Sequence, residues 1–150
     1  MAAAPARKCP ESAVLDTNVL ISATLFDSSL AQKLLNALVG SGASLFTSEH
    51  ILSEYERIVK RDFIKKRGLT VLENRLPYLL ASLRRFLVLA KPKERVSICR
   101  DPTDNRILEC AAASSSDYIV TFDPDLLDLK NYGLIKIVHP LEMLRILGKK

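Results

Sequence analysis

Short apolar runs alternate with longer amphipathic stretches along most of the chain. Residues 13–15, 44–47, 117–121 and 134–138 are predicted strands, because aliphatic and β-branched side chains there are bounded by polar or turn-forming residues. The intervening stretches carry leucine and isoleucine at helical spacing. Strands that alternate with helices are typical of a parallel sheet covered by helices on both faces. The pattern therefore predicts an α/β fold with three α/β/α layers.

The predicted helices begin at residues that commonly cap them. They are expected at 18–26, 29–39, 48–59, 70–86, 101–113 and from Pro140 onward, with a single helical turn at 125–129. Two further short extended segments are expected at 86–90 and 96–99.

Length and composition indicate one globular domain. The 150 residues are 48% hydrophobic and 26% charged, and no internal repeat or low-complexity linker divides them. We expect a domain over residues 13–147, a flexible tail at 1–12 and a short basic tail at 148–150.

The chain shows no sign of export or membrane insertion. No apolar run approaches the length of a membrane span, and the first residues lack the apolar block of a secretory signal. Cys9, Cys99 and Cys110 are an odd number of cysteines without metal-binding spacing. These observations favour a reducing, cytoplasmic location.

Positive charge is concentrated in the middle of the sequence. Residues 57–100 hold 13 bases and 3 acids, whereas residues 1–56 hold 3 bases and 6 acids. Such a block suggests a surface that binds a polyanion such as nucleic acid. The alternative is a solvated helical face, where lysine and arginine are common.

Carboxylates occupy positions where an α/β fold would gather them. Asp16 and Asp123 follow predicted parallel strands, so both are expected at the same edge of the sheet. Asp104 lies on the apolar face of its helix and Glu109 is expected to point away from that face. Glu54 flanks the apolar stripe of its helix, but periodicity favours it no more than the neighbouring Glu56.

Each of these acids also has a purely structural interpretation. Asp16 and Asp123 stand where helix caps are expected, and Asp101 and Asp123 each precede a proline. Asp104 would be favoured near a helix N-terminus by the helix dipole, and Glu54 could be a solvated acid.

Considered together, the acids favour a metal centre. Several carboxylates in one crevice cannot all stay ionised without a counter-charge, and we expect no arginine to pair with them. Ligand sets made only of oxygen select hard ions, which indicates Mg²⁺ or Mn²⁺. Such a centre hydrolyses phosphodiesters without a catalytic histidine or serine.

Four ordered motifs resemble the PIN domain (PilT N-terminus) family, most closely its prokaryotic toxin-like branch. The resemblance covers about residues 13–147. The motifs are Val-Leu-Asp-Thr-Asn-Val-Leu from Val14, Leu-Ser-Glu-Tyr from Leu52, Arg-Asp-Pro-Thr-Asp-Asn from Arg100 with Leu-Glu-Cys-Ala from Leu108, and Tyr-Ile-Val-Thr-Phe-Asp-Pro-Asp-Leu-Leu from Tyr118.

This resemblance implies a five-stranded parallel sheet and a metal-dependent ribonuclease, often the toxin of a toxin–antitoxin pair. It implies a catalytic cluster of four acids and chooses Glu54 over Glu56. In our hypothesis Asp16, Asp104 and Asp123 hold the Mg²⁺ or Mn²⁺, and Glu54 positions the attacking water or a second ion. The supporting residues implied by position are Thr17, Asn18, Thr121 and, as an outer ligand, Asp125.

The expected partners are RNA, a cognate antitoxin and a second copy of the chain. The residues expected to bind the phosphate backbone are Lys60, Arg61, Lys65, Lys66, Arg67, Arg84 and Arg85. Phe122 departs from the family, which usually has glycine between Thr121 and Asp123, and a bulky ring there is expected to narrow the approach of RNA. The alternatives are a binding module without turnover and a DNA- or flap-directed nuclease.

Overall fold

The computed structural model describes residues 12–148. The expected tails fall largely on residues 1–11 and 149–150, which lie outside the described residues, while Ser12 already belongs to the first strand. The strands are β1 Ser12–Leu15, β2 Ser44–Thr47, β3 Val88–Leu89, β4 Tyr118–Val120, β5 Asn131–Tyr132 and β6 Ile135–Val138. The helices are α1 Thr17–Leu25, α2 Leu30–Ser41, α3 Glu49–Ile58, α4 Val71–Phe86, α5 Pro102–Ser114, α6 Pro124–Leu129 and α7 Pro140–Gly148, with a π-helical segment at Val59–Lys66 after α3.

The strands form one sheet in the order β3-β2-β1-β4-β6-β5. Five of them run parallel, as predicted, but β5 pairs antiparallel with β6 and makes the sheet six-stranded. The prediction of five strands was therefore one short. A two-residue strand is too brief to show alternation, and its turn depends on Gly133 at a φ of 61°.

The central strands place the carboxyl edge of the sheet. Val14 and Ile119 are neighbours in β1 and β4, and both are fully buried because helices cover the two faces of the sheet. The ladder extends beyond β1, where the Asp16 amide donates to the Val120 carbonyl at 2.9 Å. Residues that follow β1 and β4 therefore emerge side by side.

Residues 96–99 do not form the expected strand. The amides of Ile98 and Cys99 instead donate to Oδ1 of Asn105 on α5, at 3.1 and 2.9 Å. A helix side chain thus satisfies backbone groups that a strand would have paired with a neighbouring strand.

The same segment explains why the prediction for Glu109 was wrong. Glu109 is only 3% exposed rather than turned to solvent. Its Oε2 accepts from the Val96 amide at 2.8 Å and pairs with Arg106 Nη2 at 2.9 Å. Burial of a carboxylate requires such partners. Arg106 lies on the same helix, but the Val96 amide belongs to an irregular segment that helical periodicity does not describe.

No helix within residues 12–148 combines the length and the apolar character that crossing a membrane requires.

Candidate active site

A pocket of about 460 Å³ opens at the carboxyl edge of the sheet, between the N-terminal ends of α1, α5 and α6 and one side of α3 and the π-helical segment. All four of the predicted catalytic acids line it. The complete lining is Asp16, Thr17, Asn18, Glu54, Arg57, Ile58, Arg61, Asp62, Asp101, Thr103, Asp104 and Asp123.

Asp16 is held firmly at the base of this pocket. Its Oδ1 accepts from the Thr17 amide at 2.7 Å, which caps α1, and its Oδ2 accepts from the Thr121 hydroxyl at 2.6 Å. Burial raises the pKa of Asp16 above its ordinary value, against the two hydrogen bonds, and the charges of Asp123 and Glu54 raise it further. The carboxylate is therefore oriented, and nearby positive charge would favour its ionised form.

Asp104 is the most perturbed of the acids. It is 6% exposed, and its Oδ2 is buried without a hydrogen-bond partner. Burial, a hydrogen bond shared with Asp123 and the charges of Asp123 and Asp16 raise its pKa to about 8. At neutral pH and without a counter-charge, Asp104 therefore holds a proton.

Thr121 connects Asp16 with Asp123. Its hydroxyl donates to Asp16 and accepts from the Asp123 amide at 2.9 Å. The side chain of Asp123 caps α6 by accepting from the Asp125 amide at 2.9 Å. Capping and pocket lining are thus not alternatives, because the helix N-termini that the acids cap all point at the pocket.

Glu54 faces the pocket with a partner that the sequence analysis missed. Arg57 donates to its Oε1 from Nε at 3.0 Å and from Nη2 at 2.6 Å, whereas Glu56 pairs with Lys60. The expectation that no arginine accompanies the acids was therefore wrong. The spacing of three residues along one helix was the available signal.

A carboxylate that was not predicted, Asp62, also lines the pocket. It pairs with Arg61 at 2.7 Å, and this arginine holds the pKa of Asp62 below its ordinary value. Both residues belong to the π-helical segment, a conformation that is often found at functional sites.

The remaining predicted residues divide into two groups. Asn18 lines the pocket, whereas the exposed Asp125 does not, and its role as an outer ligand stays a prediction. The Phe122 ring packs edge-on against His139, with centroids 5.3 Å apart, and is not part of the pocket wall. The ring therefore lies outside the pocket wall, and its effect on the approach of RNA stays a prediction.

The predicted phosphate-binding bases lie on the π-helical segment, directly after it at Arg67, and on α4, and only Arg61 lines the pocket. Arg84 binds Glu49 with two hydrogen bonds of 2.7 and 2.8 Å. Arg67 lies 4.7 Å from the centre of the Phe63 ring. Lys60 and Lys66 pair with acids on their own helical stretch, and Lys65 and Arg85 form no ion pair within residues 12–148.

The carboxylate oxygens of the pocket are ligands that a hard cation prefers, but as placed they do not form a complete ligand set. Within residues 12–148, no three histidine, cysteine, aspartate or glutamate side chains have the arrangement of a metal-ligand set. The partnerless Oδ2 of Asp104, beside two further carboxylates, nevertheless offers the oxygen ligands that Mg²⁺ and Mn²⁺ prefer.

A family model described as PIN domain matches residues 12–125, which include all four acids. The chain belongs to the PIN domain family. PIN domains are generally nucleases, a class of hydrolases. The match begins with β1 and extends into α6, so it spans every element that lines the pocket.

One relative in sequence and one solved structure of similar fold extend the comparison. The uncharacterized protein MJ1680 of Methanocaldococcus jannaschii is 31% identical over 129 residues, which cover 84% of this chain and 81% of that protein. The crystal structure of VapBC2 from Rickettsia felis bound to a DNA fragment from their promoter contains a chain with a TM-score of 0.57 and 15% identity. That match covers 85% of this chain and 98% of the other, and shows a shared fold.

Proposed function

We propose that this PIN domain is a ribonuclease that hydrolyses RNA phosphodiester bonds with Mg²⁺ or Mn²⁺. The observation that carries the proposal is the convergence of Asp16, Asp104 and Asp123 on one pocket without an ion pair to any of them within residues 12–148. Buried like charges need a counter-charge, and the pocket's arginines are engaged with Glu54 and Asp62.

Asp16, Asp104 and Asp123 would hold the ion. When bound, it supplies positive charge to the phosphate and makes a water molecule more acidic. Asp104 must release its proton to become a ligand, whereas Asp16 is already oriented by Thr17 and Thr121. Because the acids do not form a closed ligand set as placed, cation binding would also bring their side chains closer together.

Glu54 is proposed to position the attacking water or a second ion. Arg57 binds its Oε1, so the second carboxylate oxygen remains available to the pocket. Arg61 lies in the same wall and is placed to meet the RNA backbone near the acids. The more distant bases would hold the flanking strand without reading its sequence.

We further propose that the protein is the toxin of a toxin–antitoxin pair, acts in the cytoplasm and binds a cognate antitoxin and a second copy of itself. The support is the motif set of the toxin-like PIN branch together with the fold shared with VapBC2 of Rickettsia felis.

The test is to replace Asp16 with Asn and to measure cleavage of structured and unstructured RNA with Mg²⁺ or Mn²⁺. Loss of a charged ligand should lower the rate by about 100-fold or more, beyond the effect expected for residues that merely orient ligands. The matched control is Asp128→Asn, an exposed aspartate on α6 outside the pocket, which should retain activity.

Unchanged cleavage by the Asp16→Asn variant would contradict the assignment. Binding of Mn²⁺ with no cleavage of any RNA would instead support a binding module without turnover. Single-stranded and flap DNA in the same assay would identify a DNA-directed nuclease by faster cleavage of DNA.

A further inference from the structure

A second cavity, of about 240 Å³, adjoins the acidic pocket between α3 and the first turns of α5. Thr17, Glu54, Arg57 and Thr103 line both spaces. A single ligand can therefore extend from one space into the other. The remaining walls of the second cavity are His50, Ile51, Ser53, Arg106 and Ile107.

The two spaces differ sharply in chemistry. The acidic pocket has six carboxylates and two arginines, whereas the second cavity has one carboxylate, two arginines and a histidine. Ile51 and Ile107 are each only 2% exposed and belong to the hydrophobic core, so they give the cavity a fixed apolar wall. A cation is therefore disfavoured there, and a flat, polar-edged group is favoured.

Arg106 lines this cavity with a guanidinium held in place by its neighbours. Its Nη2 donates to Glu109 at 2.9 Å and to the Val96 carbonyl at 3.3 Å, which fix the guanidinium. A fixed guanidinium presents positive charge and N–H groups, which favour a ligand with acceptor atoms at its edge.

We infer that this second cavity binds the nucleobase of the nucleotide next to the phosphate that is cut. A base offers acceptor atoms at its edge for the guanidinium of Arg106, and a flat face for the guanidinium of Arg57 and the apolar wall. The volume lies below the roughly 300–1,000 Å³ of pockets for drug-sized ligands, which suits one ring system.

This subsite gives the proposed nuclease a means of choosing where it cuts, and the inference rests on that proposed function. The residues common to both spaces would place the phosphate of the bound nucleotide beside the acids. The surface bases contact the backbone alone, so selection among nucleotides would come from this cavity.

The binding test uses the metal-free protein with isoleucine methyl groups labelled for NMR. Adenosine, guanosine, cytidine and uridine are titrated separately, with ribose as the matched ligand that lacks a base. At least one nucleoside should shift the Ile51 and Ile107 methyl signals saturably and bind about fivefold or more tighter than ribose, as expected for stacking of one base. Equal or absent responses to all five compounds would overturn the inference.

A matched pair of variants locates the binding. Ser53→Phe places a ring in the cavity from an exposed position on α3 that does not touch the acidic pocket. It should remove the nucleoside response, whereas Ser82→Phe, at an exposed position on α4, should retain it. Persistence of the response in Ser53→Phe would place the base elsewhere and overturn the assignment.

Failure of this inference is distinguishable from failure of the proposed function. Cleavage that depends on Asp16, without nucleoside binding, would overturn the subsite alone. Nucleoside binding at Ile107, with cleavage unaffected by Asp16→Asn, would overturn the nuclease assignment while the ligand class of the cavity stands.

Discussion

The carboxyl edge of the sheet and the basic stretch from Arg57 to Arg85 carry opposite charge. They differ in whether their charged side chains form ion pairs. At the edge, Asp16, Asp104 and Asp123 have no ion pair within residues 12–148 and are drawn into one pocket. Along the basic stretch, many cations pair with a local acid at the surface, as Arg84 does with Glu49. Concentrated charge therefore does not by itself indicate a binding site.

Burial distinguishes the two regions. An exposed ion pair contributes only about 0–1 kcal/mol to stability. Pairing therefore changes the stability of the basic stretch little and restricts its side chains little. Asp16 and Asp104 are less than 10% exposed, and desolvation is the largest cause of the raised pKa of each. Such carboxyls favour any ligand that supplies positive charge.

The strongest effect in this comparison is expected from Thr121→Val. The change keeps the side-chain shape but removes the donor to Asp16 and the acceptor for the Asp123 amide. Loss of a residue that orients metal ligands typically costs 10–100-fold, and we expect about that decrease in RNA cleavage at saturating Mn²⁺.

Thr47→Val is the matched control for this change. The Thr47 hydroxyl is buried at the end of β2 without a hydrogen-bond partner, so its removal should leave activity unchanged and stability equal or slightly higher. Full activity in a folded Thr121→Val protein would show that Asp16 does not depend on this hydrogen bond.

The sequence predicted those features of the site that follow from topology. Strand ends in a parallel sheet meet at one edge, so the meeting of Asp16 and Asp123 required only correct positions for β1 and β4. The helical spacing of apolar residues likewise predicted that Asp104 faces inward. Choosing Glu54 over Glu56 needed the family resemblance, because both acids flank the same apolar stripe.

Features that depend on side-chain partners were not predictable in this way. The burial of Glu109 depends on the Val96 amide, 13 residues earlier and outside any helix. The direction of the Phe122 ring depends on His139, which follows β6, the second strand after it. Periodicity gives the face of an element, but it does not give contacts made by irregular segments.

An intermediate effect is expected from Asp104→Asn in the metal-free protein. Because the pKa of Asp104 is raised to about 8, the folded protein binds this proton more tightly than the unfolded chain does. Its contribution to stability is complete at pH values below the ordinary pKa and is lost as the pH rises toward 8. Thermal unfolding should therefore show a Tm that falls between pH 5 and pH 8.

Asn cannot ionise, so the Asp104→Asn variant should show a smaller fall. At pH 8 the variant should therefore unfold at a higher temperature than the unmodified protein, and each 1 kcal/mol of difference corresponds to about 2–4 °C in Tm for a chain of this length. Some pH dependence should remain, since the pKa of Asp16 is also raised. Asp128→Asn should retain the slope of the unmodified protein, and equal slopes in all three proteins would contradict the assigned protonation of Asp104.

The smallest effect comes from the basic stretch, where Arg84 and Arg85 are adjacent in the last turn of α4. Arg84 is bound twice by Glu49, whereas Arg85 has no ion pair within residues 12–148 and is free to meet a phosphate. Arg85→Gln should therefore weaken RNA binding several-fold and reduce the slope of log affinity against log salt by about 0.7, the value for one phosphate contact on a single strand.

Arg84→Gln should change the slope less, because Glu49 already occupies the guanidinium. Fluorescence anisotropy over a range of salt concentrations measures both variants in the Asp16→Asn background, where cleavage is expected to be slow. Equal losses from the two substitutions would mean that net charge, rather than the availability of each guanidinium, determines how this surface holds RNA.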